Sequence, residues 1–210
     1  MALIETLIQE GWLKTPSIID AFQKIKREDF LTDELKKMAE INEALPIGSD
    51  QTISQPLVVA FMMEQLQPKF GEKILDIGSG SGWTTALLAQ IVSGGVEEGG
   101  GKVIAVEILP ELKKFGENNT EKYKFVEKGS AKFVLGDGSL GLPEEAPFDK
   151  ILVSASATDV PMAWKQQLKV GGKIVAPIGS VIKTIFKKSE TEYEEIEHPG
   201  FVFVPLISAK

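Results

Sequence analysis

The stretch LDIGSGSGW, residues 75–83, decides the fold. It begins inside KILDI, a short β run over residues 73–77 that stops at glycines. Three alternating glycines, Gly78, Gly80 and Gly82, let the backbone turn sharply and leave no Cβ in a ligand's path. Residues 83–92 then read as a helix, whose N-terminal N–H groups face whatever lies over the loop. A GxGxG alone is weak evidence, since any loop uses glycine. Two acids strengthen it. Asp76 sits in the strand end, and Glu107 closes the next strand, KVIAVEI, where a carboxylate can accept both ribose hydroxyls of a nucleoside.

Working outward, strands are expected at 102–108, 132–135, 148–154 and 173–177, with helices at 110–118 and 160–168. Strands alternating with helices build a parallel sheet through right-handed crossovers. The tail differs: 181–186, 193–196 and 201–206 read as strands with no helix between them, so they add an antiparallel edge. Residues 93–101, SGGVEEGG plus Gly101, read as a flexible surface loop. Upstream, Leu3, Ile4, Leu7 and Ile8 have helical spacing. Thr15-Pro16 offers a cap and a first-turn proline to a second helix with Ile18, Ile19, Phe22 and Ile25 on one stripe. A short third helix is expected over 32–41. The fold class is α/β, a Rossmann-like sheet with an N-terminal helical arm and antiparallel C-terminal edge strands. One domain over 1–210 is expected, with the arm at 1–45, a segment and helix at 46–70 and the α/β core at 71–210.

Composition excludes several functions. The chain of 210 residues is 43% hydrophobic and 25% charged, which is ordinary for a globular protein. It has no run of about 18 apolar residues, so no membrane span is expected. Its start, MALIETLIQEGWLK, lacks a basic n-region. Cysteine is absent, which removes disulfides, thiolate metal sites and a Cys nucleophile, and fits a cytoplasmic protein. No metal is expected. The net charge of −7 argues against nucleic acid; KIKR at 24–27 is followed at once by Glu28 and Asp29.

The cofactor follows from charge. A dinucleotide brings a pyrophosphate, which Asp76 would repel; a sulfonium amino acid brings cationic groups, which it would attract. DIGSGSG, with Ser79 and Ser81 between its glycines, therefore favours S-adenosylmethionine over NAD. The third strand ends in LGDG, where Asp137 is placed to accept the adenine amino group and Gly138 leaves room for the ring. Each acid has a plainer alternative: a turn residue for Asp137, a solvated strand end for Glu107 and a helix cap for Asp76. The single histidine, His198, reads as part of a surface turn, HPG.

Ahead of all this stands LPIGSDQTISQP, residues 45–56. Its plain reading is a helix start, with Ser54 or Gln55 as cap and Pro56 in the first turn of 57–66. A capping serine beside exposed N–H groups is also a natural holder of a carboxylate.

Taken in order, LPIGSDQTISQP, LDIGSGSGW, VEILPEL, LGDGSLGLPEEAPFDKILVSA, LKVGGKIVAPIG and FVFVPL resemble the protein-L-isoaspartate O-methyltransferase family over residues 45–206. The resemblance implies a class I methyltransferase sheet. It implies methyl transfer from S-adenosylmethionine to the free carboxylate of L-isoaspartyl residues in damaged proteins and peptides, a repair activity of a cytoplasmic monomer. It implies that Asp76, Gly78, Ser79, Gly80, Ser81, Gly82, Glu107, Ile108, Asp137 and Gly138 hold the cofactor. It places Ser54 as the catalytic residue, with Gln51, Thr52 and Ile53 lining the substrate segment. Asp50 stands where the family more often has glycine, Val202 where Arg is common, and Ser156 adds a hydroxyl after strand 148–154. Two other readings stay open: a methyltransferase on another carboxylate or small-molecule acceptor, and a non-catalytic cofactor-binding module.

Overall fold

The computed structural model describes residues 3–94 and 100–208. A seven-stranded sheet forms the centre, in the order β5 (Ala131–Leu135), β4 (Lys102–Glu107), β3 (Lys73–Ile77), β6 (Phe148–Val153), β7 (Leu168–Ile178), β8 (Val181–Lys187) and β9 (Tyr193–Pro199). β5 through β7 run parallel, while β8 and β9 are antiparallel. From β3 the chain winds outward through β4 to β5, then returns to the other side of β3 as β6. That reversal is the switch point where α/β sheets open a crevice at their strand ends.

Strand alternation sends consecutive residues to opposite faces. Ile74, Val103, Leu152 and Val175 pack in one core cluster with the N-terminal arm, α3 (Pro56–Leu66) and α4 (Trp83–Ser93). Leu75, Ile104, Ile151 and Ile174 pack on the other with Trp164 of α6 (Met162–Gln167). α4 is buried nearly all round, which is why WTTALLAQIVS shows no polar stripe. The outer strand β9 carries Glu194, Glu195 and Glu197, charges that blunt a sheet edge against pairing.

The arm holds α1 (Leu3–Gln9) and α2 (Pro16–Lys24) as the apolar stripes predict. Thr15 does not cap α2. Its Oγ1 donates to Glu64 Oε2 at 2.7 Å, tying the arm to α3. The helix expected over 32–41 is not continuous; 3₁₀ turns form at Arg27–Phe30 and Lys36–Met38. The carbonyls of Ala39 and Ile41, past the second turn, accept from the Arg27 guanidinium.

Three further expectations change. Residues 45–53 form a hairpin of β1 (Leu45–Gly48) and β2 (Gln51–Ile53). Ser49 and Asp50 sit at its tip with φ of 52° and 55°, the doubly left-handed turn that matches strand twist. Neither Ser54 nor Gln55 caps α3; Asn42 Oδ1 accepts from Leu57 N at 3.0 Å. The tail 201–206 is not a strand. After Gly200 (φ 97°) it crosses the strand ends and pairs only through Ser156 and Pro205. Pro205 has no N–H with which to continue a ladder.

The loop expected at 93–101 lies at 95–99 outside the described residues. No helix among the described residues is long and apolar enough to cross a membrane. Among them no group of three His, Cys, Asp or Glu could hold a metal ion.

Candidate active site

The glycine turn needs its glycines for different reasons. Gly78, Gly80 and Gly82 have φ of 74°, 49° and 84°, a region that side chains resist. Gly78 and Gly80 line the cleft above the strand ends. Gly82 does not: a Cβ there would stand 2.5 Å from Gly116 O, so its role is the close approach of α4 to α5 (Pro110–Glu121). The same helix grips the turn. Asn119 Nδ2 donates to Ser81 O at 3.1 Å, and Thr120 Oγ1 to Gly82 O at 3.3 Å.

Glu107, 6% exposed, lines the cleft at the end of β4. Its Oε2 accepts from Gly80 N at 2.9 Å, and its Oε1 from Ile108 N at 2.9 Å and Leu109 N at 3.1 Å. A carboxylate offers about four lone-pair sites, so roughly one remains, on Oε2. Both ribose hydroxyls were expected to fit; the second must share Oε1 with the backbone.

Asp76 departs further from expectation. It is 0% exposed and lines no part of the cleft. Its Oδ2 accepts from Thr84 Oγ1 at 2.9 Å and Thr85 Oγ1 at 2.6 Å, pinning the first turn of α4 to β3. Burial pushes its carboxyl up to about 6, against the pull of those two hydroxyls. The acid therefore organises the turn from beneath rather than meeting a ligand at its surface. Asp137 caps its own turn, its Oδ1 accepting from Ser139 N at 2.8 Å; the neighbouring Gly138 is the one that lines the cleft. A Cβ on Gly138 would meet Ile77 Cγ2 at 2.4 Å.

The cleft has three joined compartments. The first, about 520 Å³, is walled by Ile77, Val106, Ile108, Leu109 and Leu112 around Glu107, Gly78, Gly80 and Gly138. The second, about 310 Å³, lies over the glycine turn and is lined by Ser79, Ser81, Ile53 and Ser54. The third, about 710 Å³, opens beside Ser54, Gln55, Val58 and residues 202–204. Thr52 and Ser154 line all three. Gln51 lines the first, and its Nε2 donates to Ser49 O. The Ser54 hydroxyl has no hydrogen-bond partner among the described residues, while its carbonyl accepts from Arg27 Nη2 at 3.3 Å.

Sequence reasoning missed Ser154 and the wall at 204–207. The signals were present: a hydroxyl where β6 ends, and a proline in the tail. Ser156 turns away, its Oγ donating to Gly179 O. Asp50 is exposed at the hairpin tip and lines no compartment. Val202, 93% exposed, stands at the rim of the third. His198 is part of β9, edge-on to Phe61 and away from the cleft, and burial lowers its pKa.

The residues present fit a sulfonium nucleoside. An apolar slot adjoins a carboxylate with lone-pair capacity, and at the glycine turn Ser79, which lines the second compartment, has a buried Oγ without a partner among the described residues. Among the described residues, Glu107 is the single ionisable side chain lining the three compartments.

Comparison with known proteins agrees. The family model for protein-L-isoaspartate(D-aspartate) O-methyltransferase matches residues 1–210. A protein-L-isoaspartate O-methyltransferase of Methanopyrus kandleri is 41% identical over 209 residues, covering 98% of this chain and 89% of that protein. One from Thermococcus onnurineus is 39% identical, covering 97% and 91%. A Plasmodium falciparum structure of this name, in complex with S-adenosyl-L-homocysteine, superposes with a TM-score of 0.88 at 25% identity, covering 98% of this chain and 96% of that one. With the motifs, the strand-end cleft and a full-length match in agreement, the chain belongs to the protein-L-isoaspartate O-methyltransferase family.

Proposed function

We infer that the chain is an S-adenosylmethionine-dependent enzyme that methylates the free carboxylate of L-isoaspartyl residues in proteins and peptides, and so repairs damaged backbones. The observation that carries the residue assignments is the joint between compartments. It is lined by the hydroxyl residues Thr52 and Ser154, with Ser54 alongside and no lysine, arginine or histidine among the described residues.

S-adenosylmethionine supplies an electrophilic methyl group when bound. We assign its nucleoside to the first compartment, against Glu107, Ile108 and Gly138, and its amino-acid end to the glycine turn at 78–81. Asp76 and Gly82 serve that turn from behind, by holding α4 in place. Asp137 shapes the turn that presents Gly138.

The acceptor is already an anion at pH 7, so it needs no general base. The chain must instead strip its water and fix its approach, which can contribute roughly 7–11 kcal/mol. The Ser54 hydroxyl, unpartnered among the described residues, donates one hydrogen bond to the carboxylate, and Thr52 is placed for a second. Neutral donors orient the nucleophile without quenching it; a lysine there would compete with the methyl for its charge. The third compartment takes the flanking peptide, with residues 202–204 as its wall.

The test offers matched peptides containing Asp or isoaspartate with methyl-labelled cofactor. Label on the isoaspartyl peptide alone is expected. Equal labelling of both assigns a general carboxyl methyltransferase, and cofactor binding with no labelling assigns a binding module.

A further inference from the structure

Arg27 lies outside all three compartments, yet its guanidinium gathers the backbone that carries the acceptor hydroxyls. Nη1 donates to Ala39 O at 3.1 Å and Ile41 O at 3.0 Å. Nη2 donates to Glu43 O at 2.7 Å and Ser54 O at 3.3 Å. Glu43 and Ser54 flank the β1–β2 hairpin, so one nitrogen closes its base. The guanidinium also stands 5.5 Å from the ring centroid of Trp83, the first residue of α4 and part of the second compartment's lining.

The arrangement is costly as a structural device. Arg27 is 6% exposed and has no carboxylate within ion-pairing distance among the described residues. Burial lowers its pKa to about 10, with Glu40 partly opposing. Its Nε is buried without a partner. A buried cation and an orphaned donor both oppose folding, and a well-packed apolar side chain would serve a purely structural need better. What only a guanidinium supplies is a planar fork serving four carbonyls on two separate strands of chain; an ammonium has three donors on one point.

We propose that Arg27 is a positioning residue for the methyl acceptor: it sets the base of the hairpin, and hence the aim of the Thr52 and Ser54 hydroxyls, without touching substrate or cofactor. This rests on the acceptor assignment above. It also separates the two substrates, because Arg27 holds the hairpin through hydrogen bonds and meets the cofactor side only through the Trp83 ring.

The test compares Arg27→Lys and Arg27→Ala with the wild type. In Arg27→Lys, S-adenosylhomocysteine affinity by calorimetry is expected to stay within about twofold, as for independent sites. Its kcat/KM for an isoaspartyl peptide is expected to fall roughly 10²-fold, the scale of a 1 Å misplacement. Arg27 borders an open cavity, so ethylguanidinium can reach the vacated site in Arg27→Ala and is expected to restore turnover where ethylammonium does not. Amide exchange in the hairpin is expected to quicken in Arg27→Lys while that of α4 holds. A parallel loss of cofactor affinity and kcat/KM, full activity in Arg27→Lys, or equal rescue by both cations overturns the proposal. A wild type that leaves the isoaspartyl peptide unmethylated overturns the acceptor assignment instead, and unchanged hairpin exchange in Arg27→Lys then still refutes the role given to Arg27.

Discussion

Replacing Glu107 with Gln is nearly isosteric and separates the two tasks of that carboxylate. The amide oxygen can still accept from Ile108 and Leu109, but an NH₂ now faces Gly80 N–H, which loses its acceptor at 2.9 Å. The same NH₂ faces the ribose hydroxyl that the last lone pair on Oε2 served. Hydrogen bonds to a charged group are worth about 1.5–3 kcal/mol each, and this one is partly shielded from water. The hydroxyl can accept from that NH₂, so a charge-assisted bond becomes a neutral one; with some mis-setting of the Gly80 turn this should cost about 1–3 kcal/mol of cofactor affinity, roughly 5- to 150-fold in Kd. The Gly80 bond alone should lower stability by about 1–2 kcal/mol. Calorimetry with S-adenosylhomocysteine reads the first quantity and denaturant unfolding the second. At saturating cofactor, kcat should stand near the wild-type value, since the ribose contact is the same before and during transfer. A Gln variant that binds within about threefold of wild type refutes the ribose assignment, because that is less than 1 kcal/mol.

Two further outcomes are expected. Ser54→Ala should lower kcat/KM for the isoaspartyl peptide about tenfold or more with cofactor Kd unchanged, since a donor to a charged acceptor contributes about 1.5–3 kcal/mol; loss of cofactor affinity by the same factor would refute the division of roles. Asp76 makes stability depend on pH. Its folded pKa of about 6 lies above the ordinary 3.8, so between those values the folded chain keeps a proton that the unfolded chain has released. Stability is therefore greatest below pH 4 as far as this group is concerned and falls as pH rises to about 6, by about 3 kcal/mol. Asp76→Asn should flatten that slope in unfolding measurements, and an unchanged slope rules out the buried acid as its source.

The readable parts of the molecule are those in which one stretch of chain carries its own signal. KILDI, the glycines and the helix after them lie within about twenty residues, and their periodicities survive in the structure. Glu107 was legible because a strand end is a local feature. What stayed hidden depends on partners distant in sequence. The helix expected at 32–41 shrinks to a 3₁₀ turn, and the carbonyls past it, of Ala39 and Ile41, find their partner in Arg27, 12 and 14 residues upstream. The cap of α3 comes from Asn42, 15 residues before the N–H it accepts from. The hairpin escaped notice because Ser49-Asp50 occupies a turn that usually announces itself with Asn-Gly. The apolar run at 201–206 was real, but residues 202–206 line a cleft instead of pairing an edge. The burial of Asp76 was invisible for a related reason: Thr84 and Thr85 hold one of its oxygens from inside, and the residue lines no part of the cleft.

This last point changes the electrostatics of acceptor binding. The chain carries a net charge of −7, and among the described residues the single ionisable side chain lining the cleft is an acid. No described residue of the lining attracts an anionic carboxylate by charge; Thr52, Ser54 and Ser154 offer neutral groups only. The cation that the acceptor meets must then arrive with the cofactor. A unit of opposite charge about 5 Å away at an effective dielectric near 20 contributes roughly 3 kcal/mol, which salt reduces where water enters. The peptide should therefore bind enzyme saturated with a stable cationic cofactor analogue at least about tenfold more tightly than enzyme saturated with neutral S-adenosylhomocysteine. The gap should narrow as ionic strength rises. Equal peptide affinities for the two complexes would mean that the lining itself supplies the attraction, and the neutral-donor account of this cleft would fail with it.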